Sequence, residues 1–133
     1  MKKINILLIT LSAVALVGCG SNPIKTDHAL SGDEIKFLLS GKTFDIENWK
    51  GWQLKSYYET AGTLKVHYLT GKIAGDIRSR RWTVENNTIC VTKPNGRKNC
   101  GKIIPNGDGT YTRLNPDNTI RATLSNGKQG EHL

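Results

Sequence analysis

The chain has 133 residues, 37% of them hydrophobic, and 19 basic side chains against 11 acidic ones, for a net charge of +8. That length suits one small domain, and no internal repeat or low-complexity segment points to a solenoid or a biased tail. The positive balance suits anionic partners such as lipid A, phospholipid head groups, acidic glycans or an acidic protein. It equally suits a solvated basic surface with no particular partner.

The first element is MKKINILLITLSAVALVGCG. Lys2 and Lys3 give a positive start, and Ile4 to Val17 form an apolar run of 14 residues. A membrane-spanning helix needs about 20 apolar residues, whereas a secretory signal has a shorter apolar middle, so the segment reads as an export signal. Its end, Leu16-Val17-Gly18-Cys19, resembles the lipobox of bacterial lipoproteins. The resemblance implies that residues 1–18 are removed and that Cys19 becomes the lipidated first residue of a 115-residue chain, 133 less 18. Loss of Lys2 and Lys3 would lower the net charge from +8 to +6. Two or three acyl chains, palmitate among them, would anchor the protein firmly, since each buried methylene contributes about 0.8 kcal/mol. Gly20 follows the cysteine where an aspartate would hold such a protein at the inner membrane, so the expected location is the cell envelope, at the outer membrane. The competing reading is an ordinary secretory signal with a cysteine that falls near the cut. Export to the periplasm also separates the protein from nucleic acid, which is therefore not an expected partner.

Cys19 to Leu30 reads as a lipidated residue and tether, and residues 31–133 as a single β-rich domain. A short helix opens the domain at SGDEIKFLLSGK. Ser31 can cap its first turn, Glu34 completes a capping box, and Gly41 can end it in the left-handed conformation. Ile35, Leu38 and Leu39 fall on one face, which a lone helix this short must pack against something else.

From residue 42 onward the pattern is strands and turns. Leu64, Val66 and Tyr68 alternate with polar residues, as do Arg80, Trp82 and Val84, and Ile120, Ala122 and Leu124. Period two with one wet face predicts an antiparallel sheet. Turn clusters at Ala61-Gly62, Thr70-Gly71, Glu85-Asn86-Asn87, Pro105 to Gly109, Asn115 to Asn118 and Ser125-Asn126-Gly127 separate about eight strands. The expected fold is a small mainly-β barrel or sandwich with one N-terminal helix.

CVTKPNGRKNC, from Cys90 to Cys100, holds the other two cysteines. Pro94, Asn95 and Gly96 suit a three-residue hairpin loop, which would set Lys93 opposite Arg97 and Cys90 opposite Cys100. Opposed residues lie within disulfide reach, and an oxidising compartment favours the bond. Zinc and redox sites use cysteines about two to four residues apart with further ligands, whereas His28, His67 and His132 are scattered. No metal or other cofactor is expected.

The helix, the Phe44 to Trp49 opening, the basic strand carrying Trp82 and the disulfide hairpin together resemble small exported β-barrels of the lipocalin-like kind. GKIAGDIRSRRWTVENNTICVTKPNGRKNC, Gly71 to Cys100, carries most of that resemblance.

Two groups are candidate sites. Arg78, Arg80 and Trp82 fall on one face of a strand, where guanidinium forks beside an aromatic suit an anionic ligand or acidic partner. The alternative is that Trp82 fills the core while the arginine stems cover its rim. Trp49, Trp52, Tyr57 and Tyr58 can line a ligand cavity or an interface, or close one end of the barrel. Catalysis is not expected. Asp45, Glu47, Glu59, Asp76, Glu85 and Asp108 show no paired spacing, and His67 has no recognisable orienting partner. The sequence therefore predicts a lipid-anchored binding or interaction module of the envelope. The alternative is a periplasmic inhibitor or immunity-type partner, or an accessory subunit of an envelope assembly.

Overall fold

A computed structural model describes residues 25–133. The export signal, the lipobox and Cys19 lie outside the described residues. The described chain is one helix, α1 (Gly32–Leu39), followed by nine strands in a single antiparallel sheet that curls into a nearly closed barrel.

The strands are β1 (Lys42–Asn48), β2 (Gln53–Tyr58), β3 (Thr63–Tyr68), β4 (Ile77–Glu85), β5 (Thr88–Thr92), β6 (Lys98–Gly101), β7 (Ile103–Pro105), β8 (Tyr111–Leu114) and β9 (Ile120–Gln129). Their order in the sheet is β6-β5-β4-β3-β2-β1-β9-β8-β7. Only Lys102 separates β6 from β7, although they stand at opposite edges. A single run of chain, residues 98–105, thus pairs with β5 through its first half and with β8 through its second. This split strand accounts for nine strands where the turn rhythm suggests about eight.

Closure depends on Gly101. A Cβ at that position would lie 1.7 Å from the Leu114 carbonyl oxygen, so only glycine lets the two edges approach. The Leu114 N–H donates to the Lys102 carbonyl at 2.9 Å just beyond.

Alternation sorts the residues of β2 and β3 as period two requires, whereas β5 buries Ile89, Cys90 and Val91 in succession. Phe44 and Ile46 of β1, Leu54 and Tyr58 of β2, Leu64 and Val66 of β3, Trp82 of β4, Val91 of β5 and Leu124 of β9 are all buried. One segment departs from the sequence expectation. Ser125-Asn126-Gly127 is not a turn but a bulge within β9, where Thr43 pairs with Lys128 and Asp45 with Ser125. Asn126 takes the left-handed conformation there, φ 51°, and the Phe44 ring occupies the space a Gly127 side chain would need. Asn and Gly are the residues that tolerate such a backbone, so the signal for a bulge and for a hairpin turn is the same.

The helix closes one end of the barrel. Ser31 Oγ accepts from the Glu34 N–H and the Glu34 carboxylate accepts from the Ser31 N–H, completing the capping box. Gly41 follows at φ +72°. Ile35 and Leu39 are fully buried with Leu38 packed beside them, each full burial worth about 1.5–3 kcal/mol. Above them Phe44, Tyr58 and Trp82 stack edge to face, with ring centroids 6.2 and 5.6 Å apart. The Trp82 indole N–H donates to the Glu59 carbonyl at 2.8 Å, so its one polar atom is satisfied.

The Cys90–Cys100 disulfide is present, with Cα atoms 4.0 Å apart, and the register is Cys90 with Cys100, Val91 with Asn99 and Thr92 with Lys98. Gly96 stands at φ +85° in the loop.

Candidate functional site

The end opposite the helix is open. β1 runs away from α1, so the antiparallel order brings the β1–β2, β3–β4, β5–β6 and β8–β9 connections to that far end. They surround a cavity of about 460 Å³ that reaches down among the core residues Ile46, Leu54, Leu64, Val66, Val91 and Leu124. This is within the range of about 300–1,000 Å³ common to small-ligand sites.

Charge distinguishes this cavity. Lys50, Arg78, Arg80, Lys93, Arg97, Lys98, Arg113 and Arg121 line it, and no aspartate or glutamate among the described residues does. Two of the eight are neutralised from outside, Arg78 by Asp76 at 3.2 Å and Lys98 by Glu85. The other six make no ion pair among the described residues. Asp45 and Glu59, considered above as possible catalytic acids, instead pair with Lys55 and Lys65.

Arg113 is the deepest of these cations, only 9% exposed. Its Nη2 donates to Asn99 Oδ1 at 3.3 Å and to the Asn99 carbonyl at 3.5 Å, while its Nε has no partner among the described residues. Burial lowers its pKa to about 10, with the Tyr58 hydroxyl opposing and Arg121 adding to the effect. Burial likewise raises the Tyr58 hydroxyl. Lys93 and Arg121 are also held below their ordinary values, first by burial and then by Arg80. Arg80 donates to the Tyr68 hydroxyl at 3.1 Å. Arg80, Lys93, Arg113 and Arg121 thus converge without a counter-charge.

Aromatic rings brace the mouth. The Arg121 guanidinium lies 4.8 Å from the Trp49 ring centre, and Lys50 Nζ lies 4.8 Å from that of Trp52. Trp52 in turn lies flat over Gly71, whose missing Cβ would fall 2.3 Å from the indole.

Of the residues singled out from the sequence, Arg78, Arg80, Trp49, Trp52 and Tyr58 line the cavity. Trp82 does not; it is buried among the aromatic residues beneath the cavity. Tyr57 pairs with Thr43 and Lys65, sits half-buried and is absent from the lining. Lys50, Lys93, Arg97, Lys98, Arg113 and Arg121 were not singled out, because three strands and two turns contribute them and only barrel closure gathers them. Arg113 did carry a signal, a charge sharing the parity of Tyr111 and set beside Leu114 in a short strand.

Glu85, Cys90 and Cys100 bring a carboxylate and two sulfurs within 4.8 Å, but the sulfurs are bonded to each other and are not free to hold a metal. His67 pairs with Lys55 and Ile77, away from the cavity lining. Comparison with protein-family models, with curated proteins and with solved structures finds no match to this chain.

Proposed function

We propose that this protein is a non-catalytic binding module of the bacterial cell envelope, held by lipid at Cys19, whose barrel mouth takes up an anionic ligand. The observation that supports this is the cavity lining, eight cations and no carboxylate. Unpaired guanidinium and ammonium groups repel one another, and a bound anion relieves that cost while gaining charge-assisted hydrogen bonds. The apolar walls strengthen each such contact by lowering the local dielectric.

A second reading, docking of an acidic protein, is favoured by a separate feature. Trp49, Leu69, Ile77 and Ile120 are exposed large hydrophobic residues, and all four stand at the open end. An apolar rim around a basic centre is a common interface anatomy.

The full-length protein, purified from the envelope and examined by native mass spectrometry, should retain a small anionic mass that added salt displaces. Arg78→Ala with Arg80→Ala should weaken retention. An acidic protein held in place of the small mass would favour the second reading. Retention of nothing, with no change in the double variant, would refute both.

A further inference from the structure

We propose that the cavity is built for a multiply charged phosphate compound, one phosphate seated on buried Arg113 and a second on the Arg80, Lys93 and Arg121 cluster above it. This rests on the reading of the barrel as an anion binder and names the chemistry of its ligand.

Arg113 marks the lower subsite. It is nine-tenths buried, its contacts to Asn99 are long, and its Nε faces no protein acceptor. A planar guanidinium with a free edge fits an oxyanion through two parallel hydrogen bonds. The upper subsite is formed by Arg80, Lys93 and Arg121, which line the same cavity, with Arg80 and Arg121 both acting on Lys93 and Arg80 on Arg121. Arg121 lines the same cavity as Arg80 and Arg113 and feels the charge of the first while adding to the field on the second, so it bridges the two levels.

Charge counting separates a multiply charged anion from a single carboxylate. Six lining cations lack an ion pair among the described residues. One carboxylate supplies a single negative charge and would leave most of them unmatched. A phosphate monoester carries about −1.5 to −2 at neutral pH, so two such groups offset about three or four cations. The cavity, about 460 Å³, has room for such a head group but not for the two acyl chains of a phospholipid.

The test is calorimetric titration of the full-length protein with inorganic pyrophosphate, orthophosphate and dodecanoate. Pyrophosphate should bind at one site, about tenfold tighter than orthophosphate. Arg113→Gln and, separately, Arg121→Gln should each cost about tenfold in pyrophosphate affinity. Arg121 is only partly buried, so its variant keeps the test decisive should Arg113→Gln misfold. Equal affinity for pyrophosphate and orthophosphate, or indifference of pyrophosphate to both variants, overturns the proposal. Dodecanoate bound without pyrophosphate overturns it too, yet leaves the anion-binding barrel standing; failure of all three probes removes both readings.

Vesicles separate the two sources of phosphate. The lipid at Cys19 by itself gives capture by any vesicle, so the quantity read is the excess capture by phosphatidic acid over phosphatidylcholine vesicles. An excess that pyrophosphate abolishes identifies a lipid head group, and pyrophosphate binding with no excess identifies a soluble phosphate ester. Either outcome supports the phosphate chemistry, whereas an excess that pyrophosphate leaves unchanged opposes it.

Discussion

Substituting Gly101 by alanine should be among the most damaging single-methyl additions in this protein. The new Cβ would fall 1.7 Å from the Leu114 oxygen and 2.7 Å from the Leu114 carbonyl carbon. Carbon–oxygen contacts settle at about 3.3–3.6 Å, so the edges would have to separate by about 1.6 Å or more. Both obstructing atoms are backbone and cannot rotate aside. The movement would stretch the Leu114–Lys102 hydrogen bond and the contacts of Arg113 to Asn99. Overpacking of about 1–3 kcal/mol together with one or two lost hydrogen bonds, each about 1 kcal/mol, gives a cost of about 2–5 kcal/mol. For a domain of this size that lowers Tm by about 8 °C or more. Thermal unfolding followed by circular dichroism measures it, with Gly107→Ala as the control. Gly107 has open space around its missing Cβ and φ +83°, so alanine there costs only the left-handed backbone penalty of about 1–2 kcal/mol. Gly101→Ala melting no lower than Gly107→Ala would refute the account of the seam.

Three further outcomes follow from the same geometry. Replacing both Cys90 and Cys100 by alanine should cost about 2–3 kcal/mol in urea denaturation, the chain-entropy value for so short a loop, and reducing agent should bring the unsubstituted protein to the same level. Arg113→Met should raise ligand-free stability at neutral pH. Burial depresses the folded-state value of Arg113 to about 10, which penalises its charged form at every pH below about 10 by about 3 kcal/mol. That penalty fades as pH rises through 10 towards the unfolded value, so a denaturant midpoint that falls in the variant at pH 7 would contradict it. Asp108 and Asp117 are held below the ordinary aspartate value, first by the Thr110 and Thr119 hydroxyls. Their contribution is complete above the unfolded value and is lost as pH falls through the lower folded one. Thr110→Val with Thr119→Val should therefore flatten the acid limb of the urea midpoint between about pH 5 and 2.

What was legible in the sequence was local. The capping box at Ser31 and Glu34 and the hairpin register from Cys90 to Cys100 each depend on residues close together in the chain, and both are present as read. The inward and outward sorting of Leu64, Val66, Tyr68 and Trp82 follows from period two alone. Ser125-Asn126-Gly127 misled, because a residue that permits a left-handed backbone says nothing about whether the chain then reverses or continues. The strand shared between two edges was also hidden, since Lys98 to Pro105 contains no break that a turn signal would mark.

The cavity was legible only in fragments. Arg78, Arg80, Trp49 and Trp52 stand out through composition and spacing, but Arg113 and Lys93 become part of the same site only when β8 and the β5–β6 turn are brought together. Convergence of cations across a closed sheet is a property of shear and closure, which no stretch of sequence contains by itself. The absence of carboxylates from the lining is likewise visible only once the lining is known.

The strand shared by residues 98–105 bears on solubility as well as on shape. An open nine-stranded meander would present two unpaired rims, each a template for another copy of the chain. Here the two rims belong to one short run of backbone, with Gly101 and Lys102 at the changeover. Each half leaves only three or four residues unmatched on its outer side, too few to seed addition of a foreign strand. That economy removes most of the backbone rim that an encounter between two copies could convert into a fibre.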